Sequence, residues 1–355
     1  MVTKFYRTGA GSRSNPDSIG GDLRVGPIIA IPALLVEHGV DPVRVLAGVG
    51  LELRMFGDPD NRISFQHVGR LLESCRAATG CQHFGLMAVE RYDQSSLGAV
   101  GYLMRHSATV GEGLRCLQLH QHLNDRGAVP YLLHLDSHRV ALAYSIIWND
   151  VPATSMIYDA AMGIAHKIMS ELCGPAWKPL AVQFAHGAPE TTLPYRRFFK
   201  CNPKFNAERT AVVFASSWLE RPIQGADPVL RGVLDNAIRQ MESSDPDRLA
   251  VRVRRTLCPM VLTGTATLAN TARLFALHER TLRRRLEAEG TSFHELLNGA
   301  RFEAAKQLLR DTRLPAAEIA TVLRYSNPGA FSRAFRGWSG TTPSQWRNRH
   351  PVGHS

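Results

Sequence analysis

Residues 63–80, ISFQHVGRLLESCRAATG, place Phe65, Val68, Leu71, Leu72 and Cys75 three and four apart, the spacing of one apolar helix face. Ser64 suits the N-cap and Gly80 the far end, so a helix is predicted between them. TVGEGLRCLQLHQHLN (109–124) repeats the pattern with Leu114, Leu117 and Leu119. In YLLHLDSHRVALAYSII (131–147) the period changes, and two β-rich runs flank Asp136–His138, the sign of a hairpin. PATSMIYDAAMGIAHKIMSELCG (152–174) returns to a helical stripe of Met156, Ala160, Ile164, Ile168 and Leu172, with Pro152 near its start and Gly174 at its end. PLAVQFAH (179–186) and TAVVFAS (210–216) read as strands. These alternations make residues 23–225 an α+β domain.

LERPIQGADPVL (219–230) breaks the pattern with two prolines and a glycine. A helix over 228–241 and the polar break SSDPD follow, so 226–247 reads as a linker. Beyond Arg248 there is no strand signal, and helices with short polar breaks run to about Trp346. Residues 248–349 are therefore expected to be an all-α unit, with 350–355 a tail. Residues 1–22, rich in Gly, Ser, Asn and Pro and without an apolar signal core, are expected to be a flexible leader. VGPIIAIPALLV (25–36) is too short to span a bilayer, and two prolines break it. A cytoplasmic protein without a membrane segment is expected.

One short stretch, ERTLRRRLEAEGTSF (279–293), concentrates Arg280, Arg283, Arg284 and Arg285. On a helix of about 100° per residue, Arg280, Arg283 and Arg284 share one face while Leu282 and Leu286 lie opposite. Upstream, TLANTARLFALH (267–278) is a short helix carrying Leu268, Ala272 and Leu274, followed by a tight break. Helix, tight turn and basic helix form a helix-turn-helix unit over 267–289. A second unit over 315–337 puts Ile319, Ala320 and Leu323 in a first helix. Its second helix turns Phe331 and Phe335 inward and Ser332, Arg333 and Arg336 to another face. Between the units, SFHELLNGARFEAAKQLLRDT (292–312) is an amphipathic helix carrying Leu296, Leu297, Ala300, Ala304, Leu308 and Leu309, able to hold both at a fixed separation.

RTLRRRLEAEGTSFHELLNGARFEAAKQLL followed by IATVLRYSNPGAFSRAFRGWSGTTPSQWR resembles the AraC/XylS family of bacterial transcription regulators over about a hundred residues. CNPKFNAERTAVVFASSWLERPIQGADP (201–228) and LGAVGYLMRHSATVGEGL (97–114) resemble the regulatory domain of its arabinose-binding-like, ornithine-responsive subgroup. The resemblance implies two recognition helices entering successive major grooves of double-stranded promoter DNA. It also implies an N-terminal sensor that binds a small effector and mediates dimerisation, with amino acids and fatty acids the first candidates. An effector-responsive activator contacting RNA polymerase is the expected function. Three positions depart from the family pattern. Arg324 stands where a glycine usually ends the first helix of the second unit, so that turn is expected to be strained or differently shaped. His278 replaces the usual capping Ser. Pro328-Gly329 replaces polar residues at the start of the second recognition helix.

Charge sharpens this picture. Residues 248–349 hold 18 Lys and Arg against 7 Asp and Glu, while the rest of the chain holds 24 against 24. The whole net charge of +11 thus sits in the helical unit, the footprint of polyanion binding. An arginine fork matches guanine O6 and N7 in the major groove. Arg280, Arg283, Arg284, Ser332 and Arg333 are accordingly assigned to base edges, and Arg285, Arg301, Arg336, Thr342 and Ser344 to phosphates. Arg301 can also be internal to the connecting helix, and around Thr342 and Ser344 a backbone N–H is the expected phosphate donor.

The remaining chemistry offers less. Cys75, Cys81, Cys116, Cys173, Cys201 and Cys258 contain no Cys-x-x-Cys pair and read as buried reduced thiols. His120 and His122, two apart on a helix, are not expected to converge on one ion, and no metal or cofactor is expected. No catalytic constellation is legible. A DNA-repair alkyl-transfer enzyme carrying this type of module is the alternative, and it needs a reactive cysteine. Effector-contacting residues are not identified, with Tyr144, Trp148, Trp177 and Arg196 the candidates considered.

Overall fold

The structure, a computed structural model, describes residues 21–146, 151–243, 249–262, 264, 266–275, 277–312 and 314–349. It combines a mixed α/β N-terminal part with a helical C-terminal region. The N-terminal part opens with strand β1 (Asp22–Arg24), so Asp22, the last residue of the expected leader, is already paired. Helices α1 (Ile31–Glu37) and α2 (Pro42–Gly48) follow, then strand β2 (Arg62–Ser64), which pairs antiparallel with β1 through Leu23 and Ile63. Helix α3 (Phe65–Thr79) has the predicted ends: Ser64 Oγ accepts the His67 N–H, and Gly80 closes the helix at φ 69°.

Helices α4 (Phe84–Met87), α5 (Ala99–Arg105) and α6 (Val110–His120) lead to the hairpin of β3 (Ala128–His134) and β4 (Arg139–Ile146). Asp136 Oδ1 accepts the His138 and Arg139 N–H groups and shapes the predicted turn. Helix α7 (Thr154–Cys173) then crosses behind the sheet. Gly69 and Gly85 permit α3 and α4 to lie against its start, since a β-carbon at either would strike a carbonyl of Pro152 or Met156. Strand β5 (Ala181–Gln183), helix α8 (Leu193–Phe199) and strand β6 (Ala211–Ala215) complete an antiparallel sheet in the order β3-β4-β6-β5.

Both faces of this sheet are covered. Val140, Leu142, Val212 and Phe214 point into the core shared with α6 and α7. Ala141, Ala143, Ala211 and Val213, one residue out of step, point the other way. That two-sided burial explains why these strands read as apolar runs rather than as strict alternation.

Helix α9 (Pro228–Ser243) connects to the C-terminal helices. These are α10 (Leu249–Leu262), α11 (Leu268–Leu274), α12 (Glu279–Ala288), α13 (Phe293–Asp311), α14 (Ala316–Val322), α15 (Pro328–Ser339) and α16 (Pro343–Arg349). Val253, Leu257 and Val261 of α10 join Leu297, Ala300, Ala304 and Leu308 of α13 in one core, which continues into Ala141, Ala143 and Tyr131 of the sheet. The small alanines let α10 approach the strands closely. Ser292 and Glu295 form a reciprocal capping box that fixes the start of α13.

Candidate nucleic-acid interface and cavity

Helix α12 separates its two edges by burial. Leu282 and Leu286 are 0% exposed, whereas Arg280, Arg283, Arg284 and Arg285 are all exposed. Among the described residues none of these four guanidiniums enters an ion pair. His278 stands at the N-cap with extended backbone and makes no side-chain cap bond, as its identity predicts. At the other end, Glu289 accepts the N–H groups of Leu249 and Ala250 at 3.0 and 2.9 Å. These are orphan donors of the first turn of α10, so the carboxylate moors the arginine helix to the helix that lies on the sheet.

The second unit is capped differently. Asn327 Oδ1 accepts the Ala330 N–H at 2.8 Å, and Pro328 occupies the first helical position of α15. Phe331 and Phe335 are 0% exposed, Ser332 is half-buried, and Arg333 and Arg336 are exposed. In the preceding turn Arg324 adopts φ 60°, the left-handed conformation that glycine would occupy without strain. Its guanidinium packs against Gly264.

The assigned phosphate contacts diverge. Arg285 and Arg336 are free at the surface. Arg301 lies over the Tyr325 ring at 5.5 Å, bracing the second unit's turn. Thr342 caps α16: its hydroxyl accepts the Gln345 N–H at 3.3 Å, and its own N–H donates to Gln345 Oε1 at 3.1 Å. That N–H is therefore occupied within the protein, while Ser344 is exposed.

On the other face of the sheet a cavity of about 100 Å³ opens between α3, α6, β4 and α7. Helix α7 contributes Ile157, Ala160, Ala161, Ile164, Ala165 and Ile168, a face whose alanines leave the space. One end is polar. Asp125 Oδ1 accepts the Gly127 and Ala128 N–H groups at 2.8 and 3.0 Å, and Tyr144 donates its hydroxyl to Oδ2. Burial pushes the Asp125 carboxyl up to about 6 against the pull of these bonds. Arg24, only 8% exposed, donates to Asp60, to the Ser96 carbonyl and, at 2.8 Å, to Asn124 Oδ1. Asn124 Nδ2 and Gln121 Oε1 are buried without a hydrogen-bond partner.

Of the candidate effector residues, Tyr144 lines this cavity. Trp177 is buried elsewhere, edge-on to His166 at 5.2 Å, and Arg196 is exposed on α8. Trp148 lies outside the described residues. Asp125, Asn124 and Gln121 were missed because their environment is set by Arg24 and Tyr144, which local sequence does not bring near them.

Two contacts join the cavity side to the helical region. Gln307 of α13 donates to the Ile146 carbonyl at the end of β4. Glu242 at the end of α9 meets His120 Nδ1 at 2.8 Å, His122 Nε2 at 3.3 Å and Arg252 of α10 at 3.9 Å. The two histidines share a carboxylate rather than an ion. Helix α6 ends at His120 and winds into a 3-10 turn over Gln121–Leu123, and both rings then reach one carboxylate supplied 122 positions from His120. Burial raises the Glu242 carboxyl, but the His120 bond and the charges of His120, His122 and Arg252 outweigh it and hold the group below its usual range. Among the described residues no group of His, Cys, Asp or Glu is placed to hold a metal.

All six cysteines are free, and burial raises every one of their thiols. Cys81 lies 3.5 Å from His83 Nδ1, yet its thiol is also shifted upward, away from the thiolate that alkyl transfer requires.

Comparison with known proteins places these features in context. Residues 39–223 match the family described as the arabinose-binding domain of AraC transcription regulator, N-terminal, and residues 271–349 match a helix-turn-helix domain. The chain is 26% identical over 330 residues to the HTH-type transcriptional regulator VirS of Mycobacterium tuberculosis, covering 93% of this chain and 97% of that protein. It is 28% identical over 325 residues to the ornithine utilization regulator of Pseudomonas aeruginosa, covering 90% and 94%. Among solved structures, the transcriptional regulator CdpR from Pseudomonas aeruginosa matches at 22% identity over 74% of this chain and 86% of that one, with a TM-score of 0.38.

Proposed function

The chain belongs to the AraC family of transcription regulators, and from that premise we propose how its parts divide the work of a DNA-binding regulator. Residues 23–225 form the effector-binding and dimerisation part, 226–247 the linker, and 248–349 the DNA-binding part. Arg280, Arg283 and Arg284 read base edges from α12, and Ser332 and Arg333 read them from α15. Arg285, Arg336 and Ser344 bind phosphates, and Thr342 joins them only by giving up the bond from its N–H to Gln345 Oε1. Arg301 joins them only by leaving the Tyr325 ring, so its share is the smallest. The observation that carries this reading is the α12 helix itself, with its leucine edge at 0% exposure and its arginine edge exposed and unpaired.

The cavity receives the effector. A ligand changes DNA binding only by favouring one of two arrangements. One layer of strand separates the cavity from α10: Leu142, Ala143 and Tyr144 of β4 line the cavity, and Ala141 and Ala143 of the same strand also touch the helical region. Effector binding shifts β4 and is felt by α10, then by α12 through Glu289. The output is activation, through contact with RNA polymerase by a DNA-bound homodimer in the cytoplasm. An operator footprint of the Arg284→Ala variant tests the base-reading assignment. Loss of protection with relaxed preference at one base pair is expected, and an unchanged footprint refutes it.

A further inference from the structure

The polar end of the cavity has an unusual hydrogen-bond balance. Asn124 is 3% exposed, and Arg24 holds its Oδ1 at 2.8 Å, which fixes the amide so that Nδ2 is turned away from Arg24. That nitrogen has no partner. Gln121 contributes the complementary lack, an oxygen without a donor. A buried donor and a buried acceptor left without partners are each unfavourable, so an occupant that satisfies both is favoured.

The charged groups nearby are already committed. Both Asp125 oxygens already accept protein donors, Oδ1 from Gly127 and Ala128 and Oδ2 from Tyr144, so the carboxylate is engaged within the protein rather than waiting for an ammonium. The Arg24 guanidinium is occupied by Asp60, Ser96 and Asn124, so no cation is free for an anionic head. The remaining walls are apolar, among them Phe65, Leu72, Leu117, Ala161 and Ala165.

We propose that this cavity takes a small neutral amphiphile, a hydroxyl- or carboxamide-bearing molecule whose head accepts from Asn124 and donates to Gln121 while its apolar body fills the space along α7. The proposal rests on the reading of the cavity as the effector site and names the class of effector. At about 100 Å³ the space is of the same order as engineered cavities of about 150 Å³ that bind benzene, so six-carbon probes suit it. An alkanoate offers only acceptors, leaving Gln121 unsatisfied and setting its charge beside Asp125. An alkylammonium offers only donors, leaving Asn124 unsatisfied.

The test is calorimetric titration of the full chain with hexan-1-ol, hexanamide, hexanoate and hexylammonium at pH 7.5, repeated with operator DNA bound. The alcohol and the amide are expected to bind saturably and the two ions at least tenfold more weakly. Asn124→Leu should weaken the alcohol roughly three- to tenfold, the worth of one hydrogen bond. Because Asn124 also supports Arg24, Gln121→Leu serves as a second variant with the same expected loss. Ala161→Phe, which fills the cavity, should abolish binding. Hexanoate or hexylammonium binding as tightly as the alcohol overturns the proposal, as does absence of binding by any probe or binding that survives Ala161→Phe. If the alcohol binds as expected but operator affinity does not move, the ligand class stands and the effector reading fails. If hexanoate binds best and shifts operator affinity, the reverse holds.

Discussion

The paired arginines of the N-terminal part and those of α12 and α15 are used in opposite ways. In the N-terminal half Arg24, Arg62, Arg91 and Arg139 reach Asp60, Asp22, Glu37 and Asp136, and Arg24 is nearly buried by doing so. On α12 and α15 Arg280, Arg283, Arg284, Arg285, Arg333 and Arg336 are exposed and face no carboxylate among the described residues. A charge answered inside the protein holds structure together. A row of unanswered charges on a rigid, leucine-backed helix is a surface awaiting an external polyanion. Net charge over the whole chain would hide the distinction; only its placement reveals it.

Mutations can break the contrast, and the largest effect is expected at α12's hidden edge. Leu286→Ala should destabilise the helical region by about 2–5 kcal/mol, measured by denaturant unfolding, since Leu286 is fully buried. Its neighbour Arg285→Ala should leave stability within about 0.5 kcal/mol. Next comes Asp125→Asn. The folded chain holds the Asp125 proton with a pKa of about 6 against an ordinary 3.8, so it binds the proton more tightly than the unfolded chain does. The stability this contributes is present in full below about pH 4 and is lost as pH rises through about 6, a change on the order of 2–3 kcal/mol. The difference between wild-type and variant stability measured from pH 4 to pH 7 should follow that curve, and a flat difference would show that Asp125 titrates normally. Arg24→Met should then cost about 2 kcal/mol by unfolding, less than for a fully buried pair because Asp60 is 78% exposed and rehydrates. The smallest effect belongs to Arg285→Ala on DNA, where the slope of log affinity against log salt should fall by about 0.9, one phosphate's worth.

Sequence pattern located these elements unevenly, and the reason is range. The ends of α3 were legible because Ser64 and Gly80 act within one turn of themselves. The hairpin was legible because Asp136 shapes its own turn. The arginine and leucine edges of α12 follow from helical spacing alone. In contrast, β1 and β2 are three residues each and pair from Asp22 to Ser64, too short for any period to register. Strand β5 is shorter than the apolar run suggested, because the Phe184 N–H leaves the sheet for the Lys204 carbonyl. The cavity's polar end required Arg24, Asn124 and Tyr144 to meet, and the Glu242 cluster required a carboxylate 122 positions from His120. Periodicity carries no information about such meetings.

The most direct measurement replaces the α12 row as a whole. Operator affinity as a function of salt, together with thermal unfolding, would be compared between the wild-type chain and a variant carrying Arg280→Gln, Arg283→Gln, Arg284→Gln and Arg285→Gln. With those side chains unpaired and external, specific binding should disappear and the salt slope should flatten while the unfolding temperature stays within a few degrees. An intact footprint, or a collapse of stability in step with the loss of binding, would contradict the division of arginines between structure and recognition.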